Sequence, residues 1–392
     1  MSHPKRILYL ENAIGWGGAA ICLKLMAQHL DRSRYVPVIT TPHSDANYAA
    51  YGDVAAWHHI PDRRFDKSLL VEKYRVPAKV ASICNYAGNI LPYAVQLVSL
   101  VKRERIDLIH LNNEPINNMA GVIAAKLCGI PCVSHVRGWV MWNSPMSRKL
   151  YGWVDQVITV ADWVRESVLA LGMPEERVQT INDGRILDEF LRPFDVGKTR
   201  ESLGIKPGQV AVGMVGLLIP WKGHQVFLDA AEILQRTHPD CALLVVGDAP
   251  ANCTEYGNGL LAQARERNLA NVRFVGRRND IPDVMRALDI VVHASIEPDP
   301  YPNVVIEGMA AGRPVIASRL GGPPEMMEHQ VSGMLVEPGK PQVLADAISS
   351  LIDRPELRSS LGNKAIKTAF AKWSIESHIC EVQKVYDEVL KH

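Results

Sequence analysis

Two carboxylates with seven residues between them raise the functional question. Asp299 and Glu307 stand in DPYPNVVIEGMAAGRPVIAS, on either side of a proline-bounded turn that opens an apolar, helix-like run. Helix N-termini favour negative charge and bind anions. Capping accounts for Glu307, with Asn303 as N-cap and Glu307 near the fourth position. It does not account for Asp299. The pair reads either as capping charge or as a clamp on a polyhydroxylated ligand whose phosphates lie nearby. Glu297-x-Asp299 has the look of a metal pair. Nothing else with metal-ligand spacing is near, so no metal is expected.

Other residues sort in the same way. Lys222, in GLLIPWKGHQVF, follows a strand and precedes a helix. A cation at a helix start has the wrong sign unless an anion sits there. ENAIGWGGAA places Gly15, Gly17 and Gly18 between a strand and a helix. That is either a loop for close ligand approach or a plain tight turn, and it lacks the dinucleotide fingerprint. His135 ends the apolar strand CVSH, where a histidine is either structural or faces a ligand. HVRGWVMWNSPMSRKLYGWVD sets Trp139, Trp142 and Trp153 among Arg137, Arg148 and Lys149. It reads as an acceptor-binding or membrane-contact segment, with core packing as the ordinary alternative for at least one tryptophan.

These residues need a scaffold, and its period is legible. Strand-like runs at Arg6–Leu10, Tyr35–Thr40, Asp107–Leu111, Pro131–His135 and Gln156–Val160 alternate with helix patterns at Ala19–Leu30, Ile116–Cys128 and Ala161–Leu171. Asp183–Pro207 loosens into Gly, Pro and mixed charge and reads as a linker. A second series follows, with strands at Val210–Val215, Ala242–Val246, Val272–Val275, Asp289–His293 and Pro314–Ala317. Its helices fall at Gly223–Gln235, Ile281–Ala287 and Val304–Ala311. The alternation predicts α/β architecture with two doubly wound parallel sheets and ligands at the carboxyl ends of strands, facing each other across a cleft. The expected domains are 1–190, a linker at 191–206, 207–370, and a C-terminal helix at 371–392 packing on the first domain, with Ile375, Ile379, Val382 and Tyr386 on its apolar face.

Composition bounds the rest. The 392 residues are 47% hydrophobic and 22% charged, ordinary globular material for two or three domains. A net charge of +1 argues against a dedicated nucleic-acid partner. Seven scattered cysteines without a C-x-x-C pair fit a reduced, cytoplasmic chain. The opening MSHPKRILYLENAIG runs straight into a strand and does not read as a secretory leader. No run approaches a membrane span, which leaves peripheral contact with the inner membrane face compatible with the sequence.

Taken together, these stretches resemble retaining glycosyltransferases of family 4, whose fold is GT-B. VDQVITVADWVRESVLALGMPEERVQTINDGRILDEF resembles the end of that family's first domain. VGLLIPWKGHQVFLDAAEIL, FVGRRNDIPDVMRALDIVVHAS, DPYPNVVIEGMAAGRPVIAS and GGPPEMMEHQVSGMLVEPG resemble its second domain in the usual order, and KWSIESH the start of its last helix. The resemblance implies that Asp299 contacts the donor sugar, although the family has Glu there, and that Glu307 contacts the nucleotide ribose. It implies that Lys222 binds phosphate, that His135 lies near the donor sugar, and that Gly17 and Gly18 lie near donor phosphate or acceptor. Gly321 and Gly322 would border the donor pocket. The implied donor-binding set is Gly17, Gly18, Gly216, Lys222, Asp299, Tyr301, Pro302, Asn303, Val304, Glu307 and Arg278. Leu217 occupies the place of the family's phosphate-binding arginine, and Arg277 or Arg278 would have to replace its charge.

The implied activity is retaining transfer of a sugar from a nucleotide-diphosphate sugar to a hydroxyl of a glycan or glycolipid acceptor, in polysaccharide or glycoconjugate biosynthesis. Asp299, Glu307, Lys222 and His135 would be its catalytic residues, and no cofactor is expected beyond the donor substrate. The departures at Leu217 and Asp299 motivate one alternative, a catalytically weak nucleotide-sugar-binding protein on the same fold. An epimerase or phosphorylase on this fold is a further reading. No pyridoxal-type lysine context supports the latter.

Overall fold

Short apolar runs become strands buried on both faces, as parallel sheets require. The computed structural model describes residues 3–12, 17–61, 75 and 77–391. It divides into two compact units, residues 1–185 with 375–392, and residues 186–374.

The first unit carries β1 (Lys5–Leu10), β2 (Tyr35–Thr41), β3 (Ala56–His59), β4 (Leu108–Leu111), β5 (Cys132–Val136), β6 (Gln156–Thr159) and β7 (Val178–Thr180). Their order is β3-β2-β1-β4-β5-β6-β7, every pair parallel. The second unit carries β8 (Ala211–Val215), β9 (Ala242–Val246), β10 (Val272–Gly276), β11 (Ile290–His293), β12 (Val315–Ser318) and β13 (Met334–Val336). Their order is β10-β9-β8-β11-β12-β13, again parallel throughout. In each sheet the winding direction reverses between two neighbours, β1 and β4 in one and β8 and β11 in the other. Ligands of open α/β sheets bind at such switch points, beyond the carboxyl ends of the strands.

The predicted strands are present within a residue or so at their ends. β3, β7 and β13 went unrecognised because each is a short edge strand: β3 (AWHH) and β7 (VQT) have no continuous apolar run, and that of β13 (MLV) is only three residues long. The predicted linker is a correction. Residues 191–206 belong to the second unit and hold a helix, Val196–Ser202, capped by Asp195 through the Lys198 amide at 2.9 Å. Arg200 pins it there by donating to the Ala287 carbonyl at 2.8 Å and to Asp289 at 3.1 Å. Cap and pin override the loop-like composition.

The last helix, Ile375–Val389, belongs to the first unit. Ile375, Ile379, Val382 and Tyr386 are buried. The Tyr386 hydroxyl lies 2.7 Å from His110 Nδ1 on β4 and 3.0 Å from the Tyr9 hydroxyl on β1. Arg34 and Tyr35 both donate to Asp387, at 2.5 and 2.6 Å. This fifteen-residue helix is therefore wired to the centre of the first sheet. Trp373, expected with this helix, stays in the second unit and donates its indole N–H to the Tyr301 hydroxyl at 2.5 Å.

Tyr386→Phe removes a buried hydroxyl shared by two partners. The expected loss is about 1–3 kcal/mol of unfolding free energy, read by urea denaturation. Phe fills the same volume, so a loss near zero would show that the chain of hydroxyls contributes little to stability.

Candidate active site

In the second unit, β8 ends at Val215 and hands over to Gly216. The chain then turns through Pro220–Lys222 into the helix His224–Thr237. The handover needs Gly223, whose φ of +81° is left-handed. A Cβ on Gly223 would collide with the Ala294 carbonyl oxygen just beyond β11. Close approach of these two strand ends thus sets Lys222 beside the loop that follows β11. A depression there is lined by Gly216, Lys222, His224, His293, Ala294 and Val304, among others.

Lys222 and Asp299 meet. The ammonium donates to Asp299 Oδ2 at 2.5 Å and also lies 4.2 Å from the centroid of the Trp221 ring. The side chain of Asp299 is 8% exposed and that of Lys222 23%. His293 Nε2 is 3.1 Å from the same carboxylate oxygen, and the Ser295 hydroxyl is 2.9 Å from that nitrogen. Burial alone raises the Asp299 carboxyl. The His293 hydrogen bond and the Lys222 charge outweigh it and hold the group below the usual carboxylate range. Burial also pushes His224 down to about 4, with Lys222 adding to the effect, so it stays neutral.

The loop bearing Asp299 is fixed from its far side. The Gly322 amide donates to the Asp299 carbonyl at 2.8 Å, and Asp299 pairs with Gly321 as an isolated bridge. A Cβ on Gly321 would sit 2.5 Å from the Asp299 oxygen, and one on Gly322 would collide with the Pro300 oxygen. Glycines at 321 and 322 are thus required by the backbone they press against. Tyr301, expected among the donor-binding residues, has its hydroxyl engaged by Trp373 and anchors this loop. Asn303 is the first residue of the helix Asn303–Ala310 rather than its cap. Pro302 holds the cap position, with no side-chain capping bond. Glu307 is consequently the fifth helical residue and is half-buried, while Val304 lines the depression.

Arg278, expected as a donor ligand, lies beyond β10, the edge strand. Its guanidinium donates to both Asp280 oxygens at 2.8 and 2.6 Å, so its charge already has a partner. Arg277 is exposed, and Leu217 is a 46% exposed apolar residue.

The first unit holds a separate polar cluster at its own switch point. Glu11 follows β1 and Asn112 follows β4, and the Asn112 amide donates to the Glu11 carboxylate. Arg137, just past β5, donates to Asn112 at 3.1 Å and to both Asp183 oxygens at 2.7 and 2.8 Å. His135 is fully buried, its ring stacked on that of His378 at 6.1 Å. Gly17 caps the helix Gly18–His29 with extended backbone, and a Cβ there would meet nothing within 4 Å. Among the described residues, nothing places a steric demand on Gly17. Gly15 lies outside the described residues.

Sequence reasoning missed His293 and Asp183, and it noted Arg137 only as a basic neighbour of the tryptophans. His293 ends an apolar strand as His135 does, a signal that was present and unused. Arg137 and Asp183 are 46 positions apart, and nothing local links them. Among the described residues, no group of His, Cys, Asp and Glu could hold a metal ion.

The comparisons with known proteins match the fold. Residues 16–189 match the Glycosyltransferase Family 4 model and residues 195–368 the Glycosyl transferases group 1 model. A D-inositol 3-phosphate glycosyltransferase of Corynebacterium jeikeium is 34% identical over 81% of this chain and 79% of its own length. A UDP-Gal:alpha-D-GlcNAc-diphosphoundecaprenol alpha-1,3-galactosyltransferase of Escherichia coli is 27% identical over 62% of this chain and 65% of its own length. Crystal structures of Anabaena HepE with UDP, and with UDP-glucose, superpose with a TM-score of 0.80, at 25% and 24% identity. They cover 98% of this chain and 100% or 99% of their own.

Four buried histidines, His110, His135, His224 and His378, have pKa values lowered chiefly by burial. Well above pH 6.5, where both states are neutral, this costs nothing. As pH falls below 6.5 the unfolded chain binds protons that the folded chain refuses, so stability drops progressively toward pH 4. Urea unfolding across that range should show the decline. His135→Gln should make the slope shallower by up to about 1.4 kcal/mol per pH unit. An unchanged slope would mean that His135 titrates normally.

With both halves of the chain matched by paired models, and with a 34% identical relative covered over most of its length, this protein belongs to glycosyltransferase family 4, the group 1 glycosyl transferases.

Proposed function

We propose that this glycosyltransferase moves a sugar from a nucleoside-diphosphate sugar to a hydroxyl of a glycan or glycolipid, with retention at the anomeric carbon. The observation that carries the reading is Lys222, a half-buried ammonium fixed at the β8–β11 switch point by Asp299. Charge builds on the diphosphate as the sugar leaves. A preorganised cation beside the start of the helix His224–Thr237 stabilises that charge without reorganisation. HepE, which binds UDP and UDP-glucose, makes uridine donors the first to test. The Escherichia coli relative acts on a sugar carried by diphosphoundecaprenol, which supports a glycoconjugate acceptor.

Retention is proposed by a same-face route. The leaving phosphate oxygen takes the acceptor proton, and no protein carboxylate attacks carbon. The state of Asp299 supports this. It is 6% exposed and its Oδ2 is shared by Lys222 and His293, which suits holding a cation and not attacking a sugar. Asp299 then acts on the donor through Lys222, and Glu307 is left to orient donor hydroxyls. No helix among the described residues is long and apolar enough to cross a membrane. We place the reaction in the cytoplasm, where the seven free cysteines would stay reduced.

Leu217 in the arginine position favours one competing reading, donor binding without turnover. Thermal shift and nucleotide release against UDP-, GDP-, ADP- and CMP-sugars separate the two. Selective stabilisation with slow release is expected, both diminished in Lys222→Ala and Glu307→Ala. Lys222→Ala should cost about 2–4 kcal/mol of transition-state stabilisation. Stabilisation without release, even with acceptors supplied, would establish the binding protein. No stabilisation by any nucleotide would remove the donor-site assignment.

A further inference from the structure

The segment between β5 and the helix Pro145–Trp153 was left unused by the site. Trp139 is 41% exposed, Met141 81%, Trp142 67% and Met146 48%. Four large apolar side chains within eight residues make a patch, where scattered single ones would need no explanation. They are not the tip of a loose loop. Val140, between them, is buried, and its amide donates to the Ser167 hydroxyl at 3.1 Å. Ser144 caps the following helix through the Ser147 amide, and Arg148 donates to Asn143 at 2.8 Å. Trp139 packs on Trp163 with ring centroids 4.5 Å apart. The backbone is thus held while the apolar side chains project into solvent.

Within the segment itself the charge has one sign. From Arg137 to Val154 the sequence contains no Asp or Glu, and Arg148 and Lys149 are exposed in the first turns of the helix. The neighbouring helix Asp162–Leu169 carries exposed acids, Asp162 and Glu166, so the excess is local to the segment itself. Tryptophan flanked by basic residues suits the boundary between water and acyl chains. There the ring and the methionine thioethers leave water and the cations meet anionic headgroups.

We infer that residues 139–149 form an interfacial anchor that seats this protein on a bilayer surface bearing anionic lipid. The partner is the lipid surface, and the contact is peripheral. The inference does not rest on the sugar-transfer reading.

The test is flotation of the full chain with phosphatidylcholine vesicles containing phosphatidylglycerol, against vesicles of phosphatidylcholine alone. Wild type should float with the anionic vesicles and release partly as salt screens Arg148 and Lys149. The double variant Met141→Ser, Trp142→Ser removes only exposed side chains and should partition about tenfold more weakly, or worse. Its thermal stability and its donor-induced stabilisation should match wild type, because both substitutions lie outside the second unit. Failure of wild type to float, or equal flotation of the double variant, would overturn the inference. So would a vesicle-free sedimentation result in which wild type self-associates through this patch, the double variant does not, and neither floats. That outcome would assign the patch to a second copy of the chain.

Discussion

The candidate site depends on one buried ion pair, Lys222 with Asp299. Taking a carboxylate to 8% side-chain exposure costs several kcal/mol unless charge and hydrogen bonds compensate. Here one oxygen meets an ammonium at 2.5 Å and an imidazole nitrogen at 3.1 Å. Removing one partner leaves an uncompensated buried charge. Three pieces of chain that are distant in sequence are therefore held together: the turn after β8, the end of β11, and the proline-bounded loop beyond it. The glycines at 223, 321 and 322 make this approach sterically possible. Each sits where a Cβ would strike backbone from the neighbouring segment.

The first unit reaches a similar solution with different residues. At its switch point Arg137 bridges Asn112 and Asp183, and Asn112 reaches Glu11. Burial raises the Asp183 carboxyl, but Arg137, with smaller help from the nearby histidines and Arg185, holds it below the usual range. In both units an open parallel sheet leaves strand ends and helix starts converging on one point. Polar groups collected there must be paired or must face a ligand. Arg137 and Asp183 are paired and buried. Lys222 retains 23% side-chain exposure, which leaves it able to face a ligand.

Legibility followed the range of the interactions. Strands buried on both faces announce themselves as apolar runs, so both sheets could be read from the chain. β3 (AWHH) could not, because an edge strand with half-exposed residues carries no such run. The Val196–Ser202 helix was hidden because its stability comes from Arg200 reaching residues nearly ninety positions away. Lys222, Asp299 and Glu307 were visible as residue types in suggestive places. The pairing of the first two was not, since it spans 77 positions and depends on how β8 and β11 neighbour each other. The bond between Tyr301 and Trp373 was hidden for the same reason, as the two lie 72 positions apart.

The Asp at 299 alters how the site divides its work. An aspartate reaches one methylene less far than a glutamate from the same backbone position. Gly321 and Gly322 hold that backbone through a bridge and close backbone contact. The carboxylate instead falls within reach of Lys222 and of His293 at the end of β11. The tether restricts Lys222 in the chain as it stands, so less entropy would remain to be lost if it met a ligand. The same tether occupies the ammonium, so any anion would have to compete with Asp299 for it. Aspartate in this place therefore orients the Lys222 ammonium. Leu217 makes that orientation matter more, because it contributes no charge of its own beside the end of β8.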